Sequence, residues 1–238
     1  MMSYIERYRK GEYVQVWSDL FALGEQVSQE PLLYQAVAVS RETMKRVRYN
    51  IQLLIPRLSK IGFRFENPQS AFCPPSSNIT HLIAETEQIS GKIPLSIHSW
   101  YEIVGSVSFM GMHPEWNQYF EGEFLPDPLV VFPLESVLEE CNHKNWEQNM
   151  FSTQAIDLYH LAIAPDKYHK SNISGDEPYC IELPSPSIDA ILVGERHNTT
   201  FVNYLRLCFQ WGGFPGFEQF KSYPIEVMSY LIKDLLPL

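Results

Sequence analysis

Histidine and cysteine have the widest catalytic and metal-binding repertoire, and this chain carries seven of the first and four of the second. Their spacing is unfavourable for both uses. His81, His98, His113, His143, His160, His169 and His197 include no HxxxH or HxH pair, and Cys73, Cys141, Cys180 and Cys208 include no CxxC pair. A zinc site needs ligands clustered at fixed spacing. His160 and His169 could meet across a turn, but nothing supplies a third and fourth ligand, so no metal is expected. Gly105-Ser106-Val107-Ser108 is the nearest approach to a Gly-x-Ser-x-Gly nucleophile elbow and lacks the second glycine. Gly212-Gly213-Phe214-Pro215-Gly216 follows a helical pattern, whereas a phosphate loop follows a strand and opens a helix. Glu139 and Glu140 are neighbours on a helical pattern and diverge. Cys208 lies on an apolar helical face, where a core thiol is the default. No catalytic residue and no cofactor is expected. A hydrolase working through an unrecognised Cys/His site is the alternative.

A binding role has more support. Residues 112–128 are aromatic, acidic and proline-bearing. Aromatic anchors ringed by acids suit a basic protein partner. Trp116, Tyr119, Glu121, Glu123 and Asp127 are the expected contacts, with Tyr101 at most on the rim. The competing expectation is that these aromatics fold down over the core beneath a long loop. Charge points the same way as the acids. Residues 1–62 hold nine Lys/Arg and six Asp/Glu, a net of +3, which leaves −13 for residues 63–238 within a total of −10. Such an acidic part does not suit a phosphate backbone, so nucleic acid is not an expected partner. Arg41, Lys45, Arg46, Arg48 and Arg57 do form a basic strip, but no aromatic residues interleave with it to stack bases. That strip is expected to be solvated or docked against the chain's own acidic part. A scaffold role using it as a docking face is a further alternative.

The elements that must position these residues follow from periodicity and punctuation. Val14, Trp17, Leu20, Phe21 and Leu23 have helical spacing within 4–30. Pro31 opens a long amphipathic helix over 32–61, kinked or divided at Pro56 and closed by Gly62. Together these make an N-terminal helical hairpin, segment 1–62. Three prolines mark 63–79 as a linker. Residues 80–238 then form one domain. It begins with a helix from Thr80 to Ile89 and a second over 93–105, N-capped by Ser96, bearing Trp100 inward and stopped by Gly105. A strand follows at Val107–Phe109, then another at Leu129–Phe132. Pro133 starts a helix with Leu134, Val137 and Leu138 inward. Leu158–Ile163, Tyr179–Leu183 and Ala190–Val193 form an antiparallel meander. Thr199 or Thr200 caps a helix bearing Phe201, Tyr204, Leu205, Cys208 and Phe209, and Ile225–Leu235 supplies one more. The four scattered cysteines, with no leader-like apolar run after Met1 and no span of about 18 apolar residues, lead us to expect a cytoplasmic chain with no membrane partner.

The order of these features resembles the SUKH superfamily, which contains fungal cell-wall-assembly regulators and bacterial toxin-immunity proteins. The matching stretches are the Ile93-Pro94 helix ending Val104-Gly105, the strand from Val107 to Phe109 and the Asp127-Pro128-Leu129 strand. They continue with the Gly175–Leu183 hairpin arm and the Thr200-Phe-Val-Asn-Tyr-Leu205 helix, covering roughly 80–210. The resemblance implies an α+β fold, with helices packed on one face of an antiparallel or mixed sheet. It also implies a non-enzymatic, protein-binding role, often neutralising a toxin encoded next door; the chain's acidic part would suit a basic toxin. The helices at 4–62 and the extension after Trp211 are additions to that pattern.

Overall fold

The computed structural model describes residues 2–119, 125–139 and 159–238. Its architecture is the expected α+β, with eight helices and small antiparallel sheets among the described residues. The helices are α1 (Tyr4–Arg9), α2 (Tyr13–Ala22), α3 (Leu32–Lys60), α4 (Ile79–Ser90), α5 (Leu95–Ile103), α6 (134–139), α7 (Phe201–Gln210) and α8 (Ile225–Ile232). The strands are β1 (Arg64–Phe65), β2 (Phe72–Cys73), β3 (Ser106–Ser108), β4 (Gly111–Met112), β5 (Val130–Val131), β6 (Tyr159–Ala164), β7 (Tyr179–Leu183) and β8 (Leu192–Val193). They pair in three sheets, β1-β4, β2-β3-β5 and β6-β7-β8. The last is the meander, with Leu161 opposite Ile181 and Cys180 opposite Val193. A bond from Phe132 N–H to Ile163 C=O, 2.8 Å long, joins the end of β5 to β6.

Segment 63–79 is not a linker. Phe63 and Ala71 are buried, β1 pairs with β4, and β2 pairs with β3 through Phe72↔Val107 and Cys73↔Ser106. The prolines bend this stretch between two strands rather than freeing it. One hydrophobic core runs from Tyr8 in α1 to Leu238, so segment 1–62 shares its interior with the rest of the chain. The axis of that core is α3, which packs against α1, α5 and α8. It stays a single helix through Pro56. It buries Thr43 and Asn50 besides its apolar stripe, because both find partners. Trp17 Nε1 donates to the Thr43 hydroxyl (3.0 Å). Asn50 Nδ2 donates to Leu236 C=O (2.9 Å), and its Oδ1 accepts from Leu236 N–H (2.7 Å). In α2 the inward residues are Val16, Trp17 and Leu20, while Val14 and Phe21 are exposed.

Helix α5 carries Trp100 fully buried, edge-on to Phe201 at 5.4 Å, with its indole N–H on Gly105 C=O (2.7 Å). Gly105 adopts φ +93°, and a Cβ there would lie 2.3 Å from Cys73 C=O, so no other residue fits. Ser96 is not the N-cap. It lies inside the first turn and its hydroxyl bonds Asp189 Oδ1 (2.8 Å), while the N–H groups of Leu95 and Ser96 donate to Ser187 and Ile188 C=O. Asp189 also serves α7. Its Oδ2 accepts from Val202 N–H (3.1 Å), a first-turn donor that otherwise has no intrahelical partner, and its Oδ1 accepts from Ala190 N–H (3.0 Å). Thr200 is the N-cap residue of α7 by position.

Candidate binding cleft

A cleft of about 550 Å³ opens beside the β1-β4 ribbon. Its walls come from β1 and β4, the 113–117 turn, the 125–128 crossing, the 170–173 turn and Phe214. Volumes of 300–1,000 Å³ lined by apolar residues with a few polar groups are typical of ligand sites. Phe63, Trp116 and Phe214 form the deep wall, with Trp116 edge-on to Phe214 at 4.9 Å and Phe63 5.2 Å from Phe214. Met112, 58% exposed, and Ile173, 49% exposed, stand at the mouth. Together they give the opening an apolar rim.

His113 lines the cleft but is fully engaged. Nε2 lies 2.8 Å from Ile61 C=O and Nδ1 accepts from Glu115 N–H (3.2 Å), so the ring is a donor on one side and an acceptor on the other. It stacks on Trp116 at 5.0 Å. It therefore positions the 113–117 turn.

Beneath the cleft lies a buried polar cluster. Lys170 sits in a single 3-10 turn, His169–Ser171. Asp166 nucleates this turn. Its carboxylate accepts from Tyr168 N–H (2.8 Å) and His169 N–H (3.4 Å) and binds His169 Nδ1. Burial pushes the Asp166 carboxyl up, but these hydrogen bonds outweigh it and hold it below the usual range. Lys170 Nζ bonds Asp127 Oδ1 (2.7 Å) and the Tyr204 hydroxyl (3.2 Å), and lies over the Tyr179 ring at 4.4 Å. Tyr179 donates to Asp127 Oδ2 (3.2 Å). Burial, and then the Asp127 charge, pushes the Tyr179 phenol up. Asp127 has φ +48° between two prolines, a left-handed conformation that aspartate tolerates better than most residues. Gly216 backs the same crossing. Its N–H donates to Pro126 C=O (3.0 Å), and a Cβ on it would sit 1.8 Å from Leu125 C=O. Gly216 thus serves close packing of the cleft's 125–128 wall.

The residues expected to contact a partner are placed as follows. Trp116 is 2% exposed and forms cleft wall. Tyr119 is half-buried against the core. Asp127 is buried with Lys170, and Tyr101 is buried in α5, so neither meets an outside partner. The reason is the competing expectation stated above: these aromatics fold down, and the acid finds an internal cation. Glu121 and Glu123 lie outside the described residues. The basic strip is docked inward. Arg46 stacks on Tyr13 (4.7 Å) and bonds Pro237 C=O, Arg48 bonds Ile103 C=O, Arg57 bonds Leu231 and Lys233 C=O, and Arg41 pairs with Glu102. Lys45 is exposed.

His160 faces Glu182 across the β6-β7 ladder at 3.5 Å, and His169 is held by Asp166. Among the described residues no three His, Cys, Asp or Glu side chains gather as a metal site would require. Cys208 is fully buried, and burial pushes its thiol well above the ordinary value, so it stays protonated. No described helix is long and apolar enough to cross a membrane.

Phe63, Phe65, Met112, Ile173, Lys170 and Phe214 were not expected at a site. Phe63-Arg64-Phe65 does carry a period-two signal, obscured by the prolines that follow it. Compared with protein-family models, with curated proteins and with solved structures, the chain finds no match.

Proposed function

We propose that this chain is a non-catalytic binding protein that docks a basic protein partner on its cleft face, in the manner of a toxin-immunity protein. The observation that carries the reading is the cleft mouth, where Met112 and Ile173 are exposed above an aromatic floor. Glu66 and Glu115 stand exposed beside it without an ion pair among the described residues, and the chain's net charge is −10. An apolar centre with a charged surround is how protein interfaces combine affinity with steering. The reactive groups nearest the cleft support a non-catalytic role, since both His113 nitrogens are engaged and Lys170 is locked to Asp127.

The test is co-expression of the full chain with the product of the adjacent gene. A complex that weakens with salt and is lost in Met112→Glu supports the reading. No complex, or one indifferent to both changes, overturns it.

A further inference from the structure

We infer that the cleft takes an extended main-chain segment of the partner, its apolar side chain seated beside Phe65, Met112 and Ile173 and its peptide groups bonded at Trp116 and Gly111. This rests on the binding-protein reading of the same face and names the chemistry that the face selects.

The first observation is an orphaned donor. Trp116 lines the cleft, and its Nε1 is buried with no acceptor among the described residues. Other buried tryptophans are satisfied, Trp17 by the Thr43 hydroxyl and Trp100 by Gly105 C=O. A buried N–H without a partner forfeits its hydration and gains nothing in return. Because Trp116 lines the cleft, a small outward shift of that wall would bring the N–H to an acceptor supplied from outside.

The second observation is the register of the ribbon. Glu66 N–H donates to Met110 C=O (2.9 Å), and the pairs continue as Phe65↔Gly111 and Arg64↔Met112. Bonded and non-bonded pairs alternate in an antiparallel ladder. Phe65↔Gly111 is therefore the non-bonded pair, and the N–H and C=O of Gly111 point away from β1 along the outer edge of β4. Among the described residues the sheet has two strands and that edge is unpaired, and Gly111 is exposed and lines the cleft.

These groups together choose the occupant. A site offering an indole donor, a backbone donor and a backbone acceptor around an apolar hollow matches a peptide, which carries both kinds of group. A hydrocarbon would satisfy none of them, and a fatty carboxylate would leave the Gly111 carbonyl unmet. Adding an extended segment to an open edge, with a pocket for its side chain, is an established recognition mode. Glu66 and Arg64 offset each other at the rim, so it is the net of −13 over residues 63–238 that favours basic flanks on that segment.

The experiment is a ¹H–¹⁵N titration of the full chain. The probe is the blocked peptide acetyl-Lys-Val-Phe-Val-Lys-amide, alongside its backbone N-methylated analogue and N-acetylphenylalaninamide. Trp116→Phe identifies the Trp116 indole resonance. The expected result is a downfield shift of that resonance and a shift of the Gly111 amide, with Trp17 and Trp100 unmoved. N-methylation should weaken binding at least tenfold, and Met112→Glu should abolish it while the Trp100 resonance stays in place to show that the fold is intact. No shift at millimolar peptide overturns the inference. Equal binding of the methylated peptide, or of the single amino-acid amide, also overturns it, the latter in favour of a small-molecule site. A complex with the neighbouring gene product that leaves the Trp116 indole unmoved overturns the inference and keeps the binding-protein reading. Peptide binding at Trp116 without any such complex does the reverse.

Discussion

The ammonium nitrogen of Lys170 lies 2.7 Å from Asp127 Oδ1, and the lysine side chain is sealed from solvent. Desolvating two charges is costly, and attraction in a low-dielectric interior offsets that cost only while both are present. Asp127→Ala should therefore destabilise the chain by about 3–5 kcal/mol, since it strands a buried cation. The double change Asp127→Ala with Lys170→Met should recover most of that loss. Urea denaturation of the two variants checks this. Equal destabilisation of both would mean that the crossing at 125–128 depends on Asp127 for its backbone shape and not for its charge.

Asp189 makes stability depend on pH in the direction opposite to an ordinary paired acid. Burial raises its carboxyl from 3.8 to about 6, despite the bonds from Ser96, Val202 and Ala190. Below pH 4 the group is protonated folded or unfolded and contributes no pH dependence. Between pH 4 and 6 the folded chain retains a proton that the unfolded chain releases, so stability falls as pH rises. Above 6 the penalty is constant, about 3 kcal/mol at 1.36 kcal/mol per pKa unit. Other acids, such as Glu218 held down by His197, trend the other way. The measurement is thus the stability difference between wild type and Asp189→Asn across pH 4 to 7. It should fall through that window and then level off.

Asn50 clamps the backbone of Leu236 from both sides, its amide donating to the carbonyl and accepting from the N–H. Replacing it with leucine, which has nearly the same size, removes both part-buried hydrogen bonds to Leu236 and should cost about 1–3 kcal/mol. Hydrogen exchange at Leu236 should speed up by tenfold or more, while amides in β7 keep their protection relative to global stability.

Gly216→Ala should damage the cleft from behind. The added methyl would meet the Leu125 carbonyl at 1.8 Å, so backbone must move. The 125–128 crossing carries Asp127, and the expected result is a lower Tm together with a changed Trp116 fluorescence, since Trp116 faces Phe217 of the same turn at 5.1 Å.

Much of the fold was legible because its signals are local. Leu134, Val137 and Leu138 face inward as their helical spacing requires, and Glu135 and Glu139 face out. The β6-β7-β8 meander follows from short apolar runs separated by turn residues and prolines. What escaped was set by distant partners. A strand of two residues such as β2 is too short to show a period and is defined by its pairing with β3. In α2 the spacing admits more than one inward face, and it is α1 and α3 that choose Val16 over Val14. The site was the least legible part. Lys170 and Asp127 stand 43 residues apart, and nothing in either neighbourhood says that one neutralises the other. Trp116 and the acids around it looked like a surface motif, whereas the core's need for aromatic volume draws the tryptophan in.

The continuity of the core through α3 bears on how the chain can be dissected. Arg57 holds the carbonyls of Leu231 and Lys233, Asn50 holds Leu236, and Arg46 holds Pro237, all from one helix. A cut at residue 62 would therefore release two ends of the polypeptide at once and uncover the inward side of α5. Neither fragment would retain a shape whose binding could be assigned, so docking by the N-terminal helices and docking at the cleft are separable by point substitution and inseparable by truncation.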